Sequence, residues 1–216
     1  MLSGLLLAAA ILTPPCRDLP LRPGTRWSYD ARVAWSVPGS DSIGRGTISW
    51  TTEVVSSRSR DTLLAAVVRG WPTELAWWAP GQAPKLSVVF CRANRVFHLE
   101  PYLGTAASLA DSLLAGSRMP SQDDLILDLP LHVDQLFGRE ASERADFFYA
   151  WYVDSVTPAP GVAPGDSTYY LTYRTMPDHQ LVGFVPKVGV VSYTYGHHGT
   201  VAEADAHLTR FTRAQE

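Results

Sequence analysis

The sequence predicts a mainly β domain, an antiparallel sheet with one helix packed against it. Apolar and polar residues alternate with period two along most of the chain, and Gly/Pro-rich turns separate these runs at strand-like spacing. Only one stretch carries helical spacing. The chain holds 7 Trp, 9 Tyr and 7 Phe among its 216 residues, and such rings suit a pleated, half-buried surface.

Pro20 to Gly24 reads as a turn that launches the first strand. From Trp27 to Val37, Trp27, Tyr29, Ala31, Val33 and Trp35 share one face and polar residues dominate the other. After a turn at Pro38–Asp41, Gly46 to Ser56 is the second strand. Thr62 to Arg69 is the third, and its unbroken apolar run predicts burial on both faces. Trp71 to Pro84 is irregular. Lys85–Arg92 and Arg95–Glu100 form a hairpin closed at Ala93-Asn94, with Asn supplying the left-handed turn. Thr105 to Ala115 is the helix, capped by Thr105, with Leu109 and Leu113 on one face. Leu125 to Leu131 is an edge strand, because Pro130 cannot donate to a ladder.

The polar stretch Gly138–Ala145, which includes Arg139, Glu140, Glu143 and Arg144, is a loop or a short helical turn. Asp146 to Thr157 is a strand with Phe147, Tyr149, Trp151 and Val153 on one face. Pro158 to Asp166 is a loop between strands, not a domain boundary. Strands follow at Thr168–Thr175, His179–Pro186, Val188–Tyr195 and Val201–Phe211, with Gly196–Gly199 turning the last hairpin. The organisation is thus residues 19–216 as a single antiparallel β domain behind a signal-like or membrane-anchoring segment, residues 1–18.

That segment is apolar from Leu5 to Leu12, too short to span a bilayer but the length of a signal-peptide core. Cys16 follows, and three fates stay open for it: lipidation, a disulfide to Cys91, or a free thiol. An exported protein of a bacterial periplasm or envelope is expected. The net charge of -3, with both signs interleaved, excludes a nucleic-acid partner that needs a clustered basic face.

Two segments carry a resemblance. Pro20-Leu21-Arg22-Pro23-Gly24-Thr25-Arg26-Trp27-Ser28-Tyr29 resembles the P-L-x-P-G-x-x-W-x-Y opening of a loose group of bacterial envelope proteins. Phe184-Val185-Pro186-Lys187-Val188-Gly189-Val190-Val191-Ser192-Tyr193 is similar to their late aromatic-x-P-x-V-G-x-V strand start. The resemblance implies a curved sheet, a half-barrel or open barrel with the helix against its concave face. Lipoprotein-carrier proteins share that architecture and hold an acyl chain or another protein. Gly189 itself reads as a bulge or a close backbone approach.

No catalytic constellation emerges: there is no Gly-x-Ser-x-Gly elbow and no phosphate loop. A non-enzymatic protein without a cofactor is therefore expected. Trp71, Trp77 and Trp78 in the Pro-bounded loop are the candidate interface, toward a membrane protein or membrane-associated complex. The alternative is a carrier whose concave face holds a lipid, lined by Trp27, Trp35, Trp50, Tyr149 and Trp151; a cavity of several hundred Å³ would mark it. A remote alternative is a metal-dependent hydrolase using His197 and His198, with His207, Glu203 or His179 as further ligands. Those histidines lack the spacing that sets ligands on one face. Asp123, Asp124 and Asp128 read as a solvated strand end.

Overall fold

The computed structural model describes residue 16 and residues 18–138, 147–159 and 166–214. Twelve strands among the described residues form one antiparallel sheet. In chain order they are β1 (Arg26–Ser36), β2 (Ile43–Arg60), β3 (Leu63–Arg69), β4 (Leu86–Arg92), β5 (Arg95–Leu99), then the helix α1 (Ala106–Ala115), β6 (Leu125–Asp128), β7 (Leu136–Phe137), β8 (Trp151–Pro158), β9 (Ser167–Arg174), β10 (Asp178–Val185), β11 (Gly189–His197) and β12 (Ala202–Thr212). Every strand pairs with its chain neighbours except at one place, between β6 and β7. β1 also pairs with β12, which joins the two ends of the chain, and β6 and β7 remain as the sheet edges.

Those edges lie close together, and the sheet is a nearly closed barrel. The link between them is stitched down: the Gln135 side chain donates to the Asp128 carbonyl at 2.6 Å, and the Asp134 N–H donates to the Val153 carbonyl at 3.0 Å. Pro130, just past β6, has no N–H with which to extend the ladder at that edge.

The concave face carries Trp27, Tyr29, Ala31 and Val33 of β1, with Trp50, Thr52 and Val54 opposite them on β2. It is filled from two directions. The excursion between β3 and β4 bends into a short 3-10 helix, Pro72–Trp77, which packs against β11 and β12. Ala202, Ala204 and Ala206, all buried on the facing side of β12, leave room for it. The segment before β1 closes the other end, where Leu19 and Leu21 are buried and Cys16 is disulfide-bonded to Cys91 of β4.

The helix is not on the concave face that the resemblance implied. α1 packs on β3 and β4, on the side from which Arg58 reaches Asp111 and Arg60 reaches the Leu114 carbonyl. Arg58 pairs with Ala65 and Arg60 with Leu63, and that face is opposite the one bearing Trp50 and Val54. The helix therefore covers the convex face, which is why Ala65, Ala66, Val67 and Val68 are all buried. Thr105 caps α1 as expected, accepting from the Ser108 N–H at 3.1 Å.

Other departures are local. β2 is longer than its apolar core, because its polar ends still complete ladders with β1 and β3. Ala93, not Asn94, takes the positive φ of the β4–β5 turn. Phe147 and Tyr149 do not belong to a strand: both adopt φ of 60° and β8 starts only at Trp151. His197 ends β11, and the hairpin turn begins at His198. The expectations for residues 1–15, 139–146 and 160–165 lie outside the described residues.

Candidate functional site

The 3-10 excursion is held at both ends by one carboxylate. Glu74 accepts from the Trp71 N–H at 3.0 Å and from the Lys85 N–H at 2.8 Å. Burial raises its pKa above the ordinary carboxylate range, against those two hydrogen bonds. The three tryptophans of the loop then part company. Trp71 is 4% exposed and stacks on His98 of β5, ring centroids 5.5 Å apart. It is core, so its place in the expected interface is corrected: the Glu74 clamp turns its ring inward. Trp78 is half-buried, edge-on to Trp35 at 5.2 Å. Trp77 alone faces outward, 53% exposed.

Trp77 is mounted on a polar hub at the open end of β10 and β11. Its ring lies 4.6 Å from the His197 imidazole and 6.0 Å from Tyr195. Asp178 binds both supports, accepting from the Tyr195 hydroxyl at 2.6 Å and pairing with His197 Nδ1 at 2.8 Å, while Thr175 donates to its second oxygen. Burial alone would raise the Asp178 carboxyl, but these hydrogen bonds outweigh it and hold it below its ordinary value. Burial and the Asp178 acceptor both push the Tyr195 hydroxyl up, so it stays protonated. The hub therefore orients rings and supplies neither a phenolate nor a free carboxylate.

The remaining candidates do not converge. His207 pairs with Asp205 at 2.9 Å on the outer face, beside Arg32. His198 sits in the hairpin turn, its N–H donating to the Pro177 carbonyl. Among the described residues no cluster of three His, Cys, Asp or Glu side chains could hold a metal ion. Asp124 closes a turn with Ser121, and Asp128 lies 3.5 Å from Arg95. The disulfide resolves the cysteines: the thiol that lipidation would use is bonded to Cys91.

Of the five rings proposed to line a cavity, four are in the barrel wall and packed. Trp27 donates to the Val188 carbonyl at 2.5 Å and Trp50 to the Gly70 carbonyl at 2.9 Å. Trp35 lies flat over Gly44, where an added Cβ would come within 2.2 Å of the ring. Trp151 contacts Tyr173 at 5.1 Å. Tyr149 lies outside the strand. The interior space among Trp71, Trp151, Val182, Val190 and Tyr193 is about 20 Å³, room for a water and not for an acyl chain.

No family model matches the chain, and no curated protein matches it. Among solved structures it is similar to a presumed exported protein with a YmcC-like fold from Bacteroides fragilis NCTC 9343. That likeness has 9% identity over 91% of this chain and 99% of the other, with a TM-score of 0.44. At that level the residues themselves must carry any functional argument.

Sequence reasoning missed Asp178, whose role depends on the β10–β11 register that pairs it with His197. It also missed Tyr102 and Leu103, 89% and 81% exposed. Their signal was available: a Pro-Tyr-Leu-Gly tip immediately before the helix cap. In an up-and-down sheet alternate connections share an end. Trp77, Tyr102 and Leu103 are on connections at the same end, as are Phe147 and Met176, exposed by 47% and 74%, and Ile43, 41% exposed, starts β2 there.

Proposed function

We propose that the chain is a non-catalytic protein of the bacterial envelope that docks, as an accessory or scaffolding subunit, on a membrane-associated partner. The observation that carries this reading is the placement of Trp77: a half-exposed ring fixed on His197 and Tyr195 at the end of the sheet where other large apolar side chains are also exposed. A rigid, pre-oriented aromatic loses little entropy on binding, which suits an interface anchor. The Cys16–Cys91 disulfide supports an oxidising compartment, as export to the periplasmic side provides. The small space beside Trp71 and the packed rings of Trp27, Trp50 and Trp151 weigh against the lipid carrier.

Trp77→Ala combined with Leu103→Ser is expected to lose the partner that wild-type protein retains from native membranes, with an unchanged thermal unfolding midpoint. Undiminished retention of the same partner would refute the docking reading.

A further inference from the structure

The opposite end of the sheet has a different chemistry. The β2–β3 and β4–β5 turns lie there, and the C-terminal end of α1 reaches the same place through the bond from Arg60 to Leu114. Arg58, Arg60, Arg92, Arg95 and Arg118 are all exposed. Arg58 is paired with Asp111 and Arg95 with Asp128; Asp61 lies on the β2–β3 turn, and Asp123 and Asp124 follow the Met119–Gln122 segment. Arg60, Arg92 and Arg118 have no carboxylate partner among the described residues. Arg60 meets a backbone carbonyl, and Arg92 lies 4.0 Å from the Met119 sulfur.

A cleft of about 630 Å³ opens between the Ala93-Asn94 turn and the Met119–Gln122 segment. Arg92 and the Arg95–Asp128 pair border it, and Phe97, Met119 and Leu129 give it an apolar side. Guanidinium groups bordering an apolar recess match a phosphate with hydrocarbon attached to it.

We infer that this end, centred on Arg60, Arg92 and Arg118, docks on the anionic headgroups of a membrane surface. It lies at the other end of the sheet from Trp77. The inference does not depend on the docking reading above, because pure lipid vesicles contain no partner. Basic clusters of this kind gain affinity for anionic lipid additively and lose it with salt.

The test is flotation of the full chain with vesicles of phosphatidylcholine alone and with roughly one-third phosphatidylglycerol. Wild-type protein is expected to bind the anionic vesicles about tenfold more tightly than the neutral ones, and to lose that preference at about 0.5 M salt. Arg60→Glu, Arg92→Glu and Arg118→Glu together are expected to abolish the preference. The charge-matched control Arg32→Glu, Arg45→Glu and Arg174→Glu, outside this end, is expected to keep it. Equal binding to both vesicles, an unaffected triple variant, or equal loss in the control would each overturn the inference. Circular dichroism separates loss of fold from loss of binding, and Arg→Gln variants replace any Arg→Glu variant that fails to fold.

Discussion

The indole of Trp27 lies against Gly189, and its Nε1 donates to the carbonyl of Val188, 161 residues away in sequence. Gly189 has a φ of +108°, and a Cβ built there would lie 3.2 Å from that same nitrogen. Tyr29, two residues on, repeats the bond to the Val190 carbonyl at 2.8 Å. The two sequence segments that carried the family resemblance are thus one structural clasp between β1 and the start of β11. The Lys187 N–H also donates to the Asp18 carbonyl, at 2.7 Å, which draws the segment before β1 into it.

Gly189→Ala should therefore destabilise on two counts, the left-handed backbone and the crowded indole, by about 1–3 kcal/mol. Urea unfolding measures it. Combined with Trp27→Phe, which removes both the nitrogen and part of the ring, the two losses should sum to less than additive.

Trp71 and Trp77 separate core from surface within one loop. Trp71→Ala removes a buried ring and should cost about 3–5 kcal/mol. Trp77→Ala, at 53% exposure, should cost no more than about 1 kcal/mol. Thermal or chemical unfolding of the two variants side by side checks this, and equal losses would place Trp77 in the core.

Glu74→Ala strips the acceptor from two backbone N–H groups, Trp71 and Lys85. Leaving them unpaired should cost about 2–4 kcal/mol. Amide hydrogen exchange should accelerate at residues 71 and 85 and remain unchanged in β9, outside the excursion's contacts.

His98 sets an acid limit. Burial against Trp71 lowers its pKa from 6.5 to about 4, so it stays neutral in the folded state while the unfolded chain takes up a proton. Its contribution is complete above pH 6.5 and is lost as pH falls towards 4, a loss of about 2–3 kcal/mol. The stability of His98→Gln should fall less steeply than wild type across that window, as measured by urea midpoints at each pH.

Period-two alternation is local, so it made most strands legible: Trp27 to Trp35 alternate in the sequence as they do in β1, and the apolar run in β3 signalled burial on both faces. Phe147 and Tyr149 show the limit of that signal. They alternate like strand residues, but their positive φ keeps them out of the ladder, and no pattern of side chains encodes that. The aromatic loop was visible as a candidate; which of its rings faces water was not.

The sequence by itself determined a mainly antiparallel sheet, one capped helix, a close approach at Gly189 and two cysteines with a pairing left open. Only the tertiary structure decided that Cys16 pairs with Cys91, that α1 lies on the convex face, that Trp71 is buried while Trp77 is not, and that the arginines gather opposite the exposed rings. The physical reason is range. Strand and cap signals act over a few residues, whereas the face a helix covers, the filling of a barrel and the sharing of an end by distant turns depend on contacts between segments far apart in the chain.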